Sequence, residues 1–175
     1  FWRTMQQHDY ALDIAVNSIL ENEGRMYAYS VDLGCGEGNL GYILKSFTSW
    51  LVGVDVNPNF LNIAYESGDY GDLVLADVFN YEIPIEADSI FMFELVEHFQ
   101  KEDGVKLLED LLALAPSKFI MVSSPSNFSD PWQHKSLWTP EDFFNLGFND
   151  VYATPANDPK WGEMLVAMRR KEWLE

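Results

Sequence analysis

The chain has 175 residues, of which 47% are hydrophobic, and it carries a formal net charge of −17 at pH 7. This length and apolar content predict a globular protein with a buried core and exclude a disordered chain, and no apolar run reaches the roughly 18 residues of a membrane span. The negative charge repels polyanions and argues against a nucleic-acid partner, and the lack of a long apolar run predicts no membrane partner.

The chain contains a single cysteine, Cys35. One cysteine permits no internal disulfide, which is typical of proteins in a reducing compartment. We therefore expect a cytoplasmic protein. The length of 175 residues predicts one domain, residues 1–175. The sequence contains no repeat and no low-complexity tract, so its organisation follows from the alternation of apolar patterns.

Helical and strand-like patterns alternate along most of the chain. Residues 1–27 are predicted to form an N-terminal helical segment, because apolar side chains recur there at helical spacing. A clear helix signal at 101–116 ends in Pro116. Five near-continuous apolar runs have the pattern of strands buried on both faces. These runs are residues 28–34, 50–56, 72–77, 89–95 and 118–124.

The C-terminal part departs from this alternation. After a helix signal at TPEDFFNLG, two strand-like runs at 148–155 and 162–170 follow each other with only a short turn between them. This spacing predicts an antiparallel hairpin that closes the sheet. The predicted fold class is therefore α/β, a Rossmann-like doubly wound seven-stranded sheet that is mostly parallel with an antiparallel C-terminal hairpin strand.

The stretch VDLGCGEGNL, residues 31–40, places a glycine-rich turn directly after the first strand. Such a turn lets the backbone approach a ligand closely, and a dinucleotide pyrophosphate is the first candidate. Here Asn39 stands where the dinucleotide pattern has its last small residue, and the acids Asp32 and Glu37 flank the turn. Carboxylates repel a pyrophosphate and attract a cation, so the turn favours S-adenosylmethionine, which carries a sulfonium and an ammonium group.

Acids also follow the second and third strands. Asp55 ends the second strand, where a carboxylate can accept hydrogen bonds from both hydroxyls of a ribose. Asp77 ends the third strand, where its carboxylate can accept a hydrogen bond from an adenine amino group. Both acids also suit the capping of a following turn, and this alternative stays open. Their shared position at the carboxyl ends of strands is where open α/β sheets bind ligands.

Four motifs resemble, in order and spacing, those of the class I S-adenosylmethionine-dependent methyltransferases: VDLGCGEGNL, VGVDVNPNFLNIA, LVLADVF and FELVEHF. The resemblance covers residues 29–148, and the terminal hairpin agrees with that family's reversed last strand. It implies that Asp55 holds the ribose, that Val56 lies against the adenine, and that the end of the fourth strand lies beside the sulfonium. The implied cofactor-binding residues are Asp32, Gly34, Cys35, Gly36, Asp55, Val56, Asp77, Val78, Glu94 and Leu95.

The motif FELVEHF and the later His134 contain the candidate residues for the methyl-transfer chemistry. Methyl transfer to a weakly acidic nucleophile needs a base near the methyl group, and His98 and His134 are the candidate catalytic bases. A second interpretation is a site for Mg²⁺ or Mn²⁺ made of two carboxylates and two imidazoles. Its ligands would be Glu94, Glu97, His98 and His134.

This ligand set resembles two metal-using branches of the family. They are the terminal 2′-O-methyltransferases of small RNAs and, for the E-x-x-E-H part, the O-methyltransferases of ubiquinone biosynthesis. In the alternative interpretation, the acid and the histidine brace the helix after the fourth strand. Residues 125–138, which include Trp132, His134 and Trp138, are expected to form a substrate lid with the N-terminal helix, which contains His8.

The leading hypothesis is an S-adenosylmethionine-dependent methyltransferase with a small-molecule acceptor, and oxygen is the favoured acceptor atom. The second hypothesis is a metal-dependent 2′-O-methyltransferase of RNA or of a catechol-like substrate, although the net negative charge argues against RNA. The third is a catalytically silent module that binds S-adenosylmethionine without transferring its methyl group.

Overall fold

The computed structural model describes residues 10–114, 118–127, 133–157, 159 and 162–170. Helices and strands alternate along these ranges. The helices are α1 (Tyr10–Glu23), α2 (Gly41–Leu44), α3 (Pro58–Ser67), α4 (Lys101–Leu112) and α5 (Pro140–Leu146). The strands are β1 (Ser30–Leu33), β2 (Leu51–Asp55), β3 (Asp72–Leu75), β4 (Ser89–Met92), β5 (Phe119–Pro125), β6 (Asp150–Pro155) and β7 (Glu163–Arg169). A short 3₁₀ helix, Val96–His98, lies between β4 and α4.

All of these strands form one seven-stranded sheet in the order β3-β2-β1-β4-β5-β7-β6. β1 pairs in parallel with β2 and with β4, so that Val31 lies opposite both Val52 and Ile90. β7 runs antiparallel to both β5 and β6. The predicted mostly parallel sheet with an antiparallel C-terminal hairpin is therefore confirmed. The strand order reverses between β1 and β4, and in open α/β sheets the ligand crevice lies at such a point, outside the carboxyl ends of the strands.

Apolar side chains cover both faces of the sheet, which explains why the central strands are continuous apolar runs. On one face, α4 and α5 pack against the strands through side chains such as Leu108 and Phe143. On the other face, α1 and α2 contribute Leu12 and Leu44 to a second core. Every residue of β1, β2, β4 and β5 is buried.

Side-chain caps and glycines define the ends of two helices. The Asn57 side chain accepts a hydrogen bond at the start of α3, and Gly68 ends that helix in a left-handed conformation. Thr139 and Asp142 form a capping box at the start of α5, which ends at Gly147 in the same conformation. These local signals fix the residues at which the two helices begin and end.

The predicted N-terminal segment contains α1, which contacts β6, β7 and α2. Residues 1–9, with His8, lie outside the described residues, and so do residues 128–132, with Trp132, of the predicted lid. The lid and the single-domain organisation therefore stay predictions. None of the helices in the described ranges combines the length and the apolar content that crossing a bilayer requires.

Candidate functional site

The turn after β1 depends on glycines in left-handed backbone conformations. Gly34 has a φ of 70° and Gly36 a φ of 55°, values that other residues rarely adopt. A Cβ at Gly34 would lie 2.6 Å from Leu95 Cδ2, whereas a Cβ at Gly36 would meet nothing within 4 Å. Gly34 therefore lets Leu95 pack against the turn, while Gly36 leaves open space that a ligand can enter.

A cavity of about 160 Å³ lies beside this turn, between the ends of β1 and β4. Its lining residues are Asp32, Gly34, Cys35, Gly36, Asn39, Leu40, Phe93 and Glu94. Five of these eight were predicted to bind the cofactor, and the other three, Asn39, Leu40 and Phe93, were not. Leu40 and Phe93 were missed because apolar side chains carry no functional signal in a single sequence. The cavity occupies the crevice at which the strand order reverses.

Asp55 connects β2 to the glycine turn. The side chain is only 8% exposed. Its Oδ2 accepts the Gly36 N–H at 2.9 Å, and its Oδ1 accepts the Asn57 N–H at 2.8 Å. The second bond is the turn-capping contact that the sequence analysis left open. A carboxylate has about four lone-pair sites, so these two bonds leave acceptor capacity for a ligand hydroxyl.

The predicted adenine side of the site lies at the ends of β2 and β3. Asp77 Oδ1 accepts the Phe79 N–H at 3.0 Å, so this acid caps the turn after β3. Val78 packs partly buried against the core, whereas Val56 is 69% exposed. The Phe79 ring makes an edge-to-face contact with Phe99 at 4.7 Å between centroids. Exposed apolar groups at this edge suit a flat aromatic ligand.

Asp32 lines the cavity from β1 and is almost completely buried. The Tyr70 hydroxyl donates a hydrogen bond to Asp32 Oδ2 at 2.7 Å. Burial raises the pKa of Asp32 to about 7, the Tyr70 hydrogen bond opposes this rise, and the negative charge of Asp55 adds to it. The sequence motif identifies Asp32, but Tyr70 was missed because it lies 38 residues away along the chain.

Cys35 is buried within the turn. Burial raises the pKa of the Cys35 thiol, and the negative charges of Asp32 and Asp55 add to the rise. Because the thiolate is the nucleophilic form, this environment suppresses nucleophilic reactivity. The geometry supports the interpretation of Cys35 as a small side chain that fills a tight bend beside the cavity.

Glu94 combines a strained backbone with a position in the cavity wall. Among the described residues, it is the one non-glycine residue with a positive φ, 48°. This conformation costs on the order of 1–2 kcal/mol and tends to occur at functional sites. The Glu94 N–H donates a hydrogen bond to Ser123 Oγ at 3.1 Å, which links the end of β4 to β5.

Glu97, His98 and His134 come together just beyond Glu94, and we call them the Glu97 cluster. Each offers one ligand atom, and these atoms all lie within 4.8 Å of one another. The two imidazole rings meet edge to face at 5.3 Å between centroids, and His98 Nδ1 lies 3.0 Å from the Gln133 carbonyl oxygen. Glu94 lies outside this group of atoms, so the structure assembles three of the four predicted metal ligands.

The Glu97 carboxyl group is buried and only partly hydrogen-bonded. It is 2% exposed, and its Oε2 has no hydrogen-bond partner within the described ranges. Burial raises the pKa of Glu97 well above its usual value, and the negative charge of Glu94 adds to the rise. A buried carboxyl oxygen without a partner is energetically costly. Such a group suits a protonated acid or a metal ligand, and both occur at functional sites.

The segment that carries His134 is held in place by its backbone and by a buried tryptophan. The Glu97 carbonyl oxygen accepts the N–H groups of Lys135 at 2.7 Å and Ser136 at 3.2 Å. Ser136 Oγ accepts the Trp138 Nε1–H at 2.9 Å, and the Trp138 side chain is fully buried. Trp138 thus belongs to the core, and its segment positions His134 against the 3₁₀ helix.

A larger cavity, about 860 Å³, lies at the opposite, amino-terminal edge of the parallel strands. Its walls include Tyr27, Asp88, Phe119 and Arg170. Arg170 pairs there with Glu23, and this edge carries none of the predicted site residues. The smaller cavity is the candidate site because it lies at the carboxyl edge and because its lining contains two acids and no basic residue.

Comparison with known families gives a match to the methyltransferase domain over residues 31–116. The matched range begins at the glycine turn and includes Asp55, Asp77 and the Glu94–His98 stretch. Residues 31–116 are a methyltransferase domain, and the described residues share the fold of class I S-adenosylmethionine-dependent methyltransferases. This match confirms the predicted family. Comparison with curated proteins gives no match.

Solved structures of other methyltransferases share the fold. The N-methyltransferase NodS of Bradyrhizobium japonicum WM9, in complex with S-adenosyl-L-homocysteine, has a TM-score of 0.75 at 13% identity, over 98% of this chain and 92% of that chain. Magnesium protoporphyrin IX methyltransferase of Synechocystis PCC 6803, also with S-adenosylhomocysteine, has a TM-score of 0.72 at 14% identity, over 92% of this chain and 82% of that one. At these identities the likeness concerns the fold, and the acceptor of this methyltransferase has to be inferred from its own residues.

Proposed function

We propose that this methyltransferase transfers the methyl group of S-adenosylmethionine to an oxygen atom of a small molecule. The observation that carries the proposal is the Glu97 cluster, in which Glu97 and His98 follow Glu94 of the cavity wall by a few residues. A hydroxyl group is a weakly acidic nucleophile, so its methylation needs a base or a metal ion beside the transferred methyl group. The cluster contains side chains for either role.

We assign the cofactor to the cavity beside the glycine turn. S-adenosylmethionine supplies a methyl group that is activated on its sulfonium. Gly36 offers open space for the methionine moiety, Asp32 offers an acceptor for its ammonium group, and Asp55 accepts hydrogen bonds from the ribose hydroxyls. The further assigned contacts are Gly34, Cys35, Val56, Asp77, Val78, Glu94 and Leu95.

The Glu97 cluster fits a divalent cation. It offers one carboxylate oxygen and two imidazole nitrogens within 4.8 Å of one another, and Glu97 Oε2 has no hydrogen-bond partner in the described part of the chain. Mg²⁺ or Mn²⁺ held by Glu97, His98 and His134, with Glu94 as the further predicted ligand, would act as a Lewis acid toward an acceptor hydroxyl. In a metal-free reaction, His98 or His134 accepts the hydroxyl proton as the base.

Substrates with vicinal hydroxyls are the second candidate, because the same three ligands suit a metal-assisted reaction on a catechol-like molecule or on the 2′-hydroxyl of RNA. The net charge of −17 opposes binding of a polyanion and therefore favours the catechol-like molecule. A cytoplasmic location is part of the proposal and rests on the single cysteine.

The test begins with isothermal titration calorimetry of the protein with S-adenosylhomocysteine, and absence of binding would overturn the cofactor assignment. Transfer of labelled methyl groups is then measured on simple alcohols, catechols, amines and a short RNA, with and without EDTA. We expect transfer to hydroxylated small molecules and a loss of transfer with EDTA. Transfer to amines alone contradicts the proposal. Tight cofactor binding without transfer to any acceptor identifies a silent binding module.

A further inference from the structure

Three glycines leave room for one aromatic ring beside the cofactor cavity. A Cβ at Gly38 would lie 3.0 Å from Tyr70 Cε2, one at Gly41 would lie 2.7 Å from the same atom, and one at Gly53 would lie 2.9 Å from Tyr70 Cδ1. These glycines come from the glycine turn, the start of α2 and the middle of β2. Three separate positions around the Tyr70 ring therefore carry no side chain.

The ring position brings the Tyr70 hydroxyl to the acid of the cavity. The hydroxyl donates a hydrogen bond of 2.7 Å to Asp32 Oδ2, while the Asp32 carboxylate lines the cavity beside Gly36. Gly38 and Gly41 thus leave room for the Tyr70 ring, whereas Gly36 is the one glycine of the turn that faces open space. A hydrogen bond from a neutral donor to one carboxylate oxygen fixes the side-chain orientation and leaves the other oxygen for a ligand.

We propose that Tyr70 is a positioning residue for cofactor binding, which orients the Asp32 carboxylate toward the ammonium group of the methionine moiety and stabilises its ionised form. The inference rests on the cofactor assignment proposed above. Tyr70 has no contact with the reacting atoms and acts through Asp32. The ligand chemistry concerned is a primary ammonium group, which S-adenosylmethionine and S-adenosylhomocysteine share.

The groups that face Asp32 determine how its ionisation, and with it the proposed cofactor affinity, depends on pH. Tyr70 approaches from the segment before β3, Asp55 from the end of β2, Cys35 from the turn and Glu94 across the cavity. Burial raises the pKa of Asp32 to about 7, the hydrogen bond from Tyr70 lowers it, and the charge of Asp55 raises it. Cofactor affinity should therefore increase as the pH rises through about 7, because Asp32 loses its proton around that pH.

The test measures S-adenosylhomocysteine binding by isothermal titration calorimetry from pH 6 to pH 8.5. Tyr70→Phe keeps the ring and removes the hydroxyl, so we expect about tenfold weaker binding at pH 7 and a smaller difference at pH 8.5, where Asp32 ionises without help. Tyr65→Phe is the matched control, because Tyr65 lies on α3 and is 78% exposed. It should bind like the wild-type protein at every pH.

A double-mutant cycle tests whether Tyr70 acts through Asp32. Asp32→Asn should bind weakly with a flat pH profile, and Tyr70→Phe should cause little further loss in that background. Equal affinities of wild type and Tyr70→Phe, a uniform loss at all pH values, or full additivity with Asp32→Asn would overturn the role of Tyr70. Thermal unfolding of each variant shows that it is folded. If the wild-type protein does not bind S-adenosylhomocysteine at all, the cofactor assignment fails and the Tyr70 role fails with it.

Discussion

The glycine-turn region and the Glu97 cluster lie on opposite sides of the strand-order reversal and satisfy their carboxylates differently. In the glycine-turn region, both Asp55 oxygens accept backbone N–H groups, and Asp32 accepts the Tyr70 hydroxyl. In the Glu97 cluster, a buried carboxyl oxygen has no hydrogen-bond partner among the described residues. In the first region, hydrogen bonds within the protein orient both carboxylates, whereas in the second region a buried carboxyl oxygen lacks such a bond among the described residues.

In the proposed function, this difference separates cofactor binding from methyl transfer. The hydrogen bond from the Gly36 N–H to the Asp55 carboxylate holds the proposed cofactor cavity in shape before any ligand arrives, which lowers the cost of binding. The Glu97 cluster instead holds two imidazoles beside a buried carboxyl oxygen that has no hydrogen-bond partner among the described residues, and this arrangement costs stability. Variants in the two regions should therefore change different measured quantities.

The largest expected effect is that of Glu97→Ala on methyl transfer. We expect kcat to fall by about 100-fold or more, because the base or metal ligand set loses its carboxylate, while affinity for S-adenosylhomocysteine stays nearly unchanged. Electron paramagnetic resonance of added Mn²⁺ provides a readout independent of activity and should show loss of the bound signal. Glu102→Ala, at an exposed acid of α4, is the control. A parallel loss of cofactor affinity in Glu97→Ala would remove the distinction between the regions.

Asp55→Asn should weaken S-adenosylhomocysteine binding by about 30-fold to 100-fold. The amide loses acceptor capacity toward the ribose hydroxyls and toward the Gly36 N–H. Calorimetric titration measures this loss, and Asp77→Asn serves as the comparison, because Asp77 is exposed and its capping contact uses Oδ1. An equal loss at both positions would mean that neither acid has the specific ribose role.

The pH dependence of stability should reveal Asp32. Its pKa is raised from 3.8 to about 7 in the folded protein, so the folded state holds a proton that the unfolded state releases. Stability of the empty protein is therefore lost as the pH rises from about 4 to about 7, and Asp32→Asn should recover about 1 to 4 kcal/mol at pH 8 and nothing at pH 3. Urea denaturation at several pH values measures this; parallel stability curves for the two proteins would contradict it.

The smallest effect is expected for Gly36→Ala. The change costs about 1 kcal/mol of stability through the left-handed backbone and about tenfold in cofactor affinity, because its Cβ enters the open space of the cavity. Gly68→Ala is matched, since Gly68 has a φ of 70° and open space around it at the end of α3. It should lose the same stability with no change in affinity. Equal losses of affinity would show that Gly36 acts through the fold alone.

Much of the fold follows from local pattern. The buried strands are near-continuous apolar runs, the βα alternation implies a parallel sheet, and the short spacing between β6 and β7 implies a hairpin. The glycine turn and the acids at strand ends follow as well, because strand ends converge on one edge of a parallel sheet. These features depend on neighbouring residues, which a single sequence displays directly.

The remaining features depended on contacts between distant segments. The bond from Tyr70 to Asp32 spans 38 residues, and the His134 segment reaches Glu97 through backbone N–H groups that carry no sequence signal. The sequence likewise did not predict the left-handed backbone at Glu94 or the separation of Glu94 from the metal-ligand group. The sequence by itself determined the strands, the turn and the family motifs, because these arise from local periodicity and backbone preference. The tertiary structure decided which oxygens are satisfied and which stay available, because that depends on side-chain packing across the whole sheet.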